Sequence, residues 1–404
     1  FNVMQNKLGG SVIDSVVPQL LRDLKNGDKA SSEASLQGLR QILALRGKEV
    51  LHALMPRLVS IEDGTPSSAS GEDEEATGAG FVDLFQAKTL AAICEGTGDI
   101  MHFHVDVVMA ALTRTLSQCE EKRAAVDSGS DEDAARINLE AAVKSAMRTI
   151  LVNVEEEGLQ WTMTEFVHAA TTSKFETVRA AAVWCLGEFC EHAELDFSAF
   201  NASIAVALLD RHFDACEKVL LAANSALTQL NKRVKAEVLV DDLKQIRQAI
   251  NSGVGRAKGT YRKKNPDDDA AASASGGGER KDADVAPSSS RSAEYFVPGF
   301  CLKKGLAPVL PVFQHGLIYG SVEVRESSAA GLGEIIKVST DAAIKPFLNK
   351  IAGPLIRVVG DKFPVREFCG HEFGGSFTGV FFFFTDVLSV LLSLCFYRSV
   401  LQNY

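Results

Sequence analysis

Apolar residues recur at helical spacing along most of this 404-residue chain. Residues 31–45, for example, place Leu36, Leu39, Ile42 and Leu43 on one stripe of a helix. The same spacing recurs in other segments: residues 11–24, 133–154, 177–190 and 324–338. No stretch before residue 363 alternates apolar and polar residues in the way that is typical of strands. The pattern therefore predicts an all-α fold.

The helical stripes repeat at nearly constant intervals. In residues 133–154 the stripe is placed on Ile137, Ala141, Met147 and Ile150–Leu151. Aligning Met147 with Leu186 and Leu227 gives spacings of 39 and 41 residues, and Leu39 and Leu90 fit if an insertion between them is subtracted. A period near forty with two helices per unit is typical of HEAT and armadillo repeats. We therefore predict a HEAT/armadillo-type α-solenoid, in which each unit buries its apolar face against the next.

Polar, low-complexity stretches interrupt the repeat period and divide the chain into segments. Their apolar content is too low to offset the entropy of ordering, so we expect mobile loops between repeats. Residues 1–252 are predicted to form HEAT-type repeats, with insertions at about 64–80 and 120–134. Residues 253–294 are a disordered low-complexity insertion, and residues 295–364 form further HEAT-type repeats. Residues 365–404 are a Phe-rich tail.

Residues 363–404 carry nine of the 23 phenylalanines. Residues 377–397 are long enough to span a membrane, but Asp386 within them would cost a few kcal/mol on insertion. Val365–Arg366 can be encoded by a sequence that resembles a splice donor, and T-rich intron sequence encodes runs of Phe. We therefore interpret the tail as a product of an incorrect gene model. Because the chain opens at Phe1 rather than at Met, we also expect it to be a fragment of a longer protein.

The composition and the charge argue against several classes of function. The net charge of −10 argues against a general nucleic-acid binder. The eight cysteines form no C-x-x-C pair, and several lie in apolar runs, as expected of reduced thiols in the cytosol. His102 and His104 would point about 200° apart on a helix and could not share a metal. No catalytic constellation is recognisable, so we expect neither enzymatic activity nor a cofactor or metal.

Residues 295–363 contain a more distinctive sequence, which includes the pieces VPGFCL, KKG, LPV and GPLIR. Together these pieces closely resemble the general control non-derepressible protein 1 family, the HEAT-repeat activators of the kinase that phosphorylates initiation factor 2-alpha. Residues 11–250 resemble the preceding repeats of that family more loosely, and the resemblance covers about 350 residues. The insertions depart from the family pattern, where those junctions are short.

The resemblance implies a cytoplasmic, non-catalytic scaffold that works during amino-acid starvation. In the family, the C-terminal third holds the region that docks the RWD domain of the kinase. Contacts with ribosomes or polysomes belong largely to other parts of the full-length protein. Two alternatives remain open from the residues: a nuclear-transport receptor of the importin-β type, which is also an acidic HEAT solenoid, and a membrane-anchored helical protein that rests on the tail alone.

Arg179, in the V-R-A-A-A step, is the leading candidate for kinase docking, because the resemblance implies an important arginine in this part. The alternative is a helix-start arginine that pairs with an acid of the next repeat, since the V-R step recurs at Arg325. Further candidates are polar or aromatic residues near helix ends, which line one edge of a solenoid and could equally be ordinary solvated surface: Phe175, Glu176, Arg211, His212, Lys232, Arg233 and Lys235.

Overall fold

The computed structural model describes residues 10–26, 29–59, 81–123, 129–257 and 296–360. None of these residues forms a β-strand, and the predicted all-α class is confirmed. Two compact units, residues 1–200 and 201–404, divide the chain. The insertion at 64–80 and the tail at 365–404 lie outside the described residues.

In unit 1 the described α-helices form two packed layers. They are α1 (Gly10–Asn26), α2 (Lys29–Leu58), α3 (Leu84–Thr97), α4 (Val105–Arg123), α5 (Asp131–Val152), α6 (Glu156–Thr172) and α7 (Glu176–His192). One layer is the series α2, α3, α5 and α7, in which each helix packs on the next. On the other side α4 packs on α5 and on α6, and α6 packs on α7.

Unit 2 is built in the same way from helices packed in pairs. Its described helices are α8 (Asn201–Asp210), α9 (Glu217–Arg233), α10 (Ala236–Leu239), α11 (Leu243–Ala257), α12 (Pro298–Cys301), α13 (Leu310–Tyr319), α14 (Val322–Lys337), α15 (Asp341–Ile344) and α16 (Leu348–Gly360). Helix α8 packs on α9, α13 packs on α14, and α11 packs on both α8 and α14.

The repeat alignment places its stripe residues in the core. Leu39, Leu90, Met147 and Leu186 are fully buried, and they lie on the four successive helices of one layer. Leu227 is likewise buried, on α9 of unit 2. Because each helix of the series packs on the next, this layer buries the stripe residues continuously within unit 1.

Three details of the predicted pattern are wrong. Ile137 and Ala141 are exposed, because six residues turn a helix by about 600° and so place Ala141 about 120° away from the face of Met147. The range predicted for the second insertion, 120–134, is also too wide at both ends. Helix α4 continues to Arg123, and α5 begins at Asp131 with the Ser130 hydroxyl accepting a hydrogen bond from the Asp133 N–H. Similarly, α11 runs five residues into the insertion that was predicted to start at residue 253.

Arginines link neighbouring helices of the array. The Arg148 Nε donates to the Glu188 carboxylate at 2.7 Å, from α5 to α7. Arg247 on α11 reaches α14 with three donors: Nε and Nη2 donate to Glu334 at 3.2 and 2.5 Å, and Nη1 donates to the Ser327 hydroxyl at 3.0 Å. Paired donors in a planar fork fix the relative orientation of two helices more strictly than a point charge does.

We expect the Arg247→Met variant to lose about 1 kcal/mol of unfolding free energy, because a half-buried bidentate ion pair stabilises a fold more than an exposed ion pair does. The matched control is Lys235→Met, since the Lys235–Glu237 pair is wide at 3.6 Å and Lys235 is largely exposed. Urea unfolding followed by circular dichroism measures both. Equal stability of the Arg247→Met variant and the parent chain would show that the pair is worth no more than a surface contact.

Candidate functional site

Arg179 closes the turn between the two helices of its repeat. Its Nη1 donates to the carbonyl oxygens of Ser173 at 3.0 Å and Lys174 at 2.8 Å, in the turn between α6 and α7. Phe175 is the N-cap residue of α7 and is half-buried, and its backbone N–H bonds to the Ser173 hydroxyl at 3.3 Å. The two candidates in unit 1 therefore belong to one ordered turn.

Arg325 repeats this arrangement in unit 2. Its Nε donates to the carbonyl oxygen of Gly320 at 2.8 Å, and Gly320 is the C-cap residue of α13. Both arginines therefore sit in the first turn of the second helix of a pair and hold a carbonyl of the preceding turn. The recurring V-R step has a structural use in both units, which makes Arg325 a natural control for Arg179.

The preceding repeat also holds the turn of Arg179. Near the end of α4 the Glu120 carboxylate accepts hydrogen bonds from the Thr177 N–H at 2.9 Å and from the Thr177 hydroxyl at 2.7 Å. An N–H group in the first turn of a helix has no partner within the helix, so this carboxylate acts as an N-cap supplied from outside. Arg123 adds an ion pair with Glu176 at 3.4 Å.

Arg211 is engaged within unit 2. Its guanidinium pairs with the Asp210 carboxylate and, at 3.3 Å, with that of Asp214, and its side chain is 12% exposed. These two acids lie in the same short segment, around the 3₁₀ turn Arg211–Phe213. The arrangement leaves little of the Arg211 side chain for a partner.

Lys232, Arg233 and Lys235 are exposed at the end of α9 and in the turn that follows. Lys232 and Arg233 lie in the last turn of α9, where the helix dipole favours positive charge. Lys235 precedes α10 and has Glu237 as a distant partner. The structure thus brings these three bases together on unit 2, whereas Phe175 and Arg179 belong to unit 1.

His212 is buried, contrary to its expected place among solvated helix-end residues. Its Nδ1 lies 3.2 Å from the Leu208 carbonyl oxygen, and no protein group bonds its buried Nε2 among the described residues. Burial is the main cause that lowers the pKa of His212 to about 4, and the bond to Leu208 opposes this shift. The ring is therefore neutral at neutral pH and serves packing.

The motif VPGFCL packs on this histidine, and the glycine of KKG packs on VPGFCL. A Cβ on Gly299 would lie 2.5 Å from the His212 ring, and the Phe300 ring centroid is 5.2 Å from that of His212. A Cβ on Gly305 would lie 1.9 Å from the Gly299 carbonyl oxygen. The sequence segment that resembles the family therefore forms a tightly packed junction in unit 2. This close packing explains why the segment departs from the simple helical period.

The histidines of the H-x-H pair take separate positions in the 3₁₀ segment Gly98–His104. The His102 ring stacks beside Phe103 with centroids 4.0 Å apart, and His104 lies 6.2 Å from His52. Within the described ranges, one group brings candidate ligand atoms within 4.8 Å of one another: Glu188, Glu191 and His192. Glu188 in that group is already bound by Arg148.

The buried cysteines of the described residues behave as small hydrophobes. Cys94, Cys185 and Cys190 are buried, and burial raises the pKa of each thiol, to about 12 for Cys94 and Cys190. A thiol that stays protonated at neutral pH is a poor nucleophile and a poor metal ligand. Among the helices that the structure describes, none is long and apolar enough to cross a membrane.

The class of this protein is a helical-repeat scaffold. Its helix pairs stack, arginines link them, and the helix ends leave exposed surfaces. A family model described as "Stalled ribosome sensor GCN1-like, HEAT repeats" matches residues 82–304, and the chain belongs to that family. The predicted HEAT/armadillo-type solenoid class and the predicted family are thereby confirmed.

Curated relatives share this similarity over most of the chain. Protein ILITYHIA of Arabidopsis thaliana is 28% identical over 82% of the chain. The stalled ribosome sensor GCN1 of Homo sapiens is 25% identical and the eIF-2-alpha kinase activator GCN1 of Saccharomyces cerevisiae is 26% identical, each over 90% of the chain. The chain spans only 10 to 11% of the length of these relatives.

Proposed function

We propose that this chain is a non-catalytic scaffold segment that docks the RWD domain of the initiation factor 2-alpha kinase. It works in the cytoplasm and, within a full-length protein, couples the kinase to ribosomes during amino-acid starvation. The observation that carries the proposal is the family match over residues 82–304, together with relatives named for kinase activation and for sensing stalled ribosomes. The same match favours this function over an importin-β-type receptor.

The docking surface is centred on the turn of Arg179 and Phe175. Glu120 and the hydrogen bonds of Arg179 hold this turn in a fixed conformation, so a partner would meet a preorganised surface. Arginine and aromatic residues are also the side chains that most often dominate binding energy at interfaces. The exposed bases Lys232, Arg233 and Lys235 of unit 2 are a second candidate contact, suited to acidic groups of a partner.

The test measures binding of the purified kinase RWD domain to the full chain immobilised on a surface. We expect Arg179→Ala to weaken binding about tenfold, as for an interface residue worth about 1.4 kcal/mol. Arg325→Ala is the matched control, because it removes an equivalent turn-closing bond in unit 2. It should leave binding unchanged, with the same helical signal by circular dichroism.

Two outcomes would contradict the proposal at different levels. If Arg179→Ala and Arg325→Ala weaken binding equally, turn stability rather than contact explains the effect, and the assignment of Arg179 is wrong. If the folded parent chain does not bind the RWD domain at all, the docking function itself is wrong for this segment.

A further inference from the structure

Two large aromatic side chains of unit 1 are exposed to an unusual degree. Trp161 on α6 is 68% exposed, and Phe103 in the 3₁₀ segment Gly98–His104 is 59% exposed. Phe166, five residues further along α6 and on another face of the helix, is by contrast fully buried. Exposed aromatic surface costs free energy in water, and a binding partner could cover it.

The two aromatics belong to neighbouring elements that pack closely. Gly158 on α6 lies against His102, so tightly that a Cβ on Gly158 would be 2.6 Å from the Cβ of His102. Phe103 follows His102 directly and its ring stacks on the imidazole at 4.0 Å. Trp161 lies one helical turn after Gly158. We name His102, Phe103 and Trp161, which lie on these two packed elements, the aromatic patch.

The patch is bordered by acids. Glu155, Glu156 and Glu157 are all exposed at the start of α6. Glu157 and Trp161 are four residues apart and so lie on the same side of the helix. Within the part of the chain that the structure describes, no basic side chain forms an ion pair with these three glutamates. Their charge is available to a ligand.

We propose that the aromatic patch binds a lysine- or arginine-rich peptide segment of a partner protein. A cation over the face of Trp161 gains from the ring quadrupole, and the nearby carboxylates raise the local concentration of positive charge. The same carboxylates repel phosphate groups, which disfavours RNA and anionic lipid as occupants. The inference concerns a surface distinct from the turn of Arg179 and does not depend on kinase docking.

The two tryptophans of the chain allow a direct test. Trp184 on α7 can be replaced by Phe, which leaves Trp161 as the sole tryptophan reporter in the full chain. We expect a peptide of alternating lysine and glycine to change the emission of Trp161 in a saturable way. The matched peptide of alternating glutamate and glycine should cause no change. Unchanged emission with the lysine peptide would overturn the proposal.

Variants then separate a built site from general charge attraction, with peptide binding measured by fluorescence anisotropy. Trp161→Ala should weaken binding at least fivefold, whereas Leu221→Ala, which removes an exposed apolar side chain from α9 of unit 2, should not. Equal binding by the Trp161→Ala variant and the parent would overturn the proposal. Circular dichroism verifies that both variants keep the helical signal.

The acids are tested by comparing two variants that have the same net charge. Neutralising Glu155, Glu156 and Glu157 together to glutamine should weaken peptide binding several-fold. The control neutralises an equal number of exposed acids elsewhere in unit 1: Asp131→Asn, Glu132→Gln and Glu194→Gln. Equal losses in the two triple variants would mean that the peptide senses only the negative charge of the chain, and the proposed site would be wrong.

Discussion

We expect the Gly305→Ala variant to lose about 3 kcal/mol of unfolding free energy, at the upper end of the cost of overpacking. The added Cβ would lie 1.9 Å from the Gly299 carbonyl oxygen and 3.2 Å from the Phe300 Cα, and both are backbone atoms. A flexible side chain could rotate away from such a contact, but here the chain from Val297 to Leu306 must shift. Urea unfolding followed by circular dichroism measures the loss.

The control for this prediction is Gly38→Ala on α2. A Cβ at Gly38 would make only ordinary contacts, at 3.6 and 3.9 Å from the methyl groups of Leu20. Since alanine is the better helix former, this change should be neutral or stabilise the chain by up to about 1 kcal/mol. If Gly305→Ala proves as stable as the parent chain, the junction between Gly299 and Gly305 is looser than the structure has it.

Acidification should destabilise unit 2 through His212. Burial lowers its folded pKa to about 4 from the ordinary 6.5. Because the unfolded chain takes up the proton first as the pH falls, the stabilisation is fully present above about pH 6.5 and is lost towards pH 4. The difference in pKa corresponds to a loss of about 3 kcal/mol. Urea titrations at several pH values across this window measure it.

His212→Phe isolates this effect from other titrating groups. The phenyl ring fills the site beside Gly299 but cannot be protonated, and it loses the bond to Leu208 at a cost of about 1 kcal/mol. We expect the variant to be less stable than the parent at neutral pH and to show a weaker dependence on pH between 6.5 and 4. Parallel curves for parent and variant would show that His212 does not carry the effect.

The sequence predicted the repeat architecture well because helical periodicity reports directly on burial. Leu39, Leu90, Met147 and Leu186 share one layer, as the alignment of stripes required. The same method placed Ile137 on the buried face because a loose stripe was extended past the true helical period. Periodicity thus identifies which face of a helix is buried only where the spacing is strict.

Surface features were harder to predict because they depend on what lies across from each side chain. His212 is polar and close to a helix end, yet the Gly299 backbone covers it. Arg211 looked available, but Asp210 and Asp214 occupy its guanidinium. The patch of Trp161 depends on the close approach of Gly158 to His102, two residues that are far apart in the chain. No local pattern in the sequence reports such a contact.

The position of the two tryptophans has a spectroscopic consequence for the whole chain. Trp161 and Trp184 lie on α6 and α7, the two helices of a single repeat. Intrinsic fluorescence therefore reports on the melting of that one repeat, whereas circular dichroism averages over all helices of both units. Coincident midpoints from the two signals would mean that the array melts as one cooperative block, and separated midpoints would measure how independently this repeat opens.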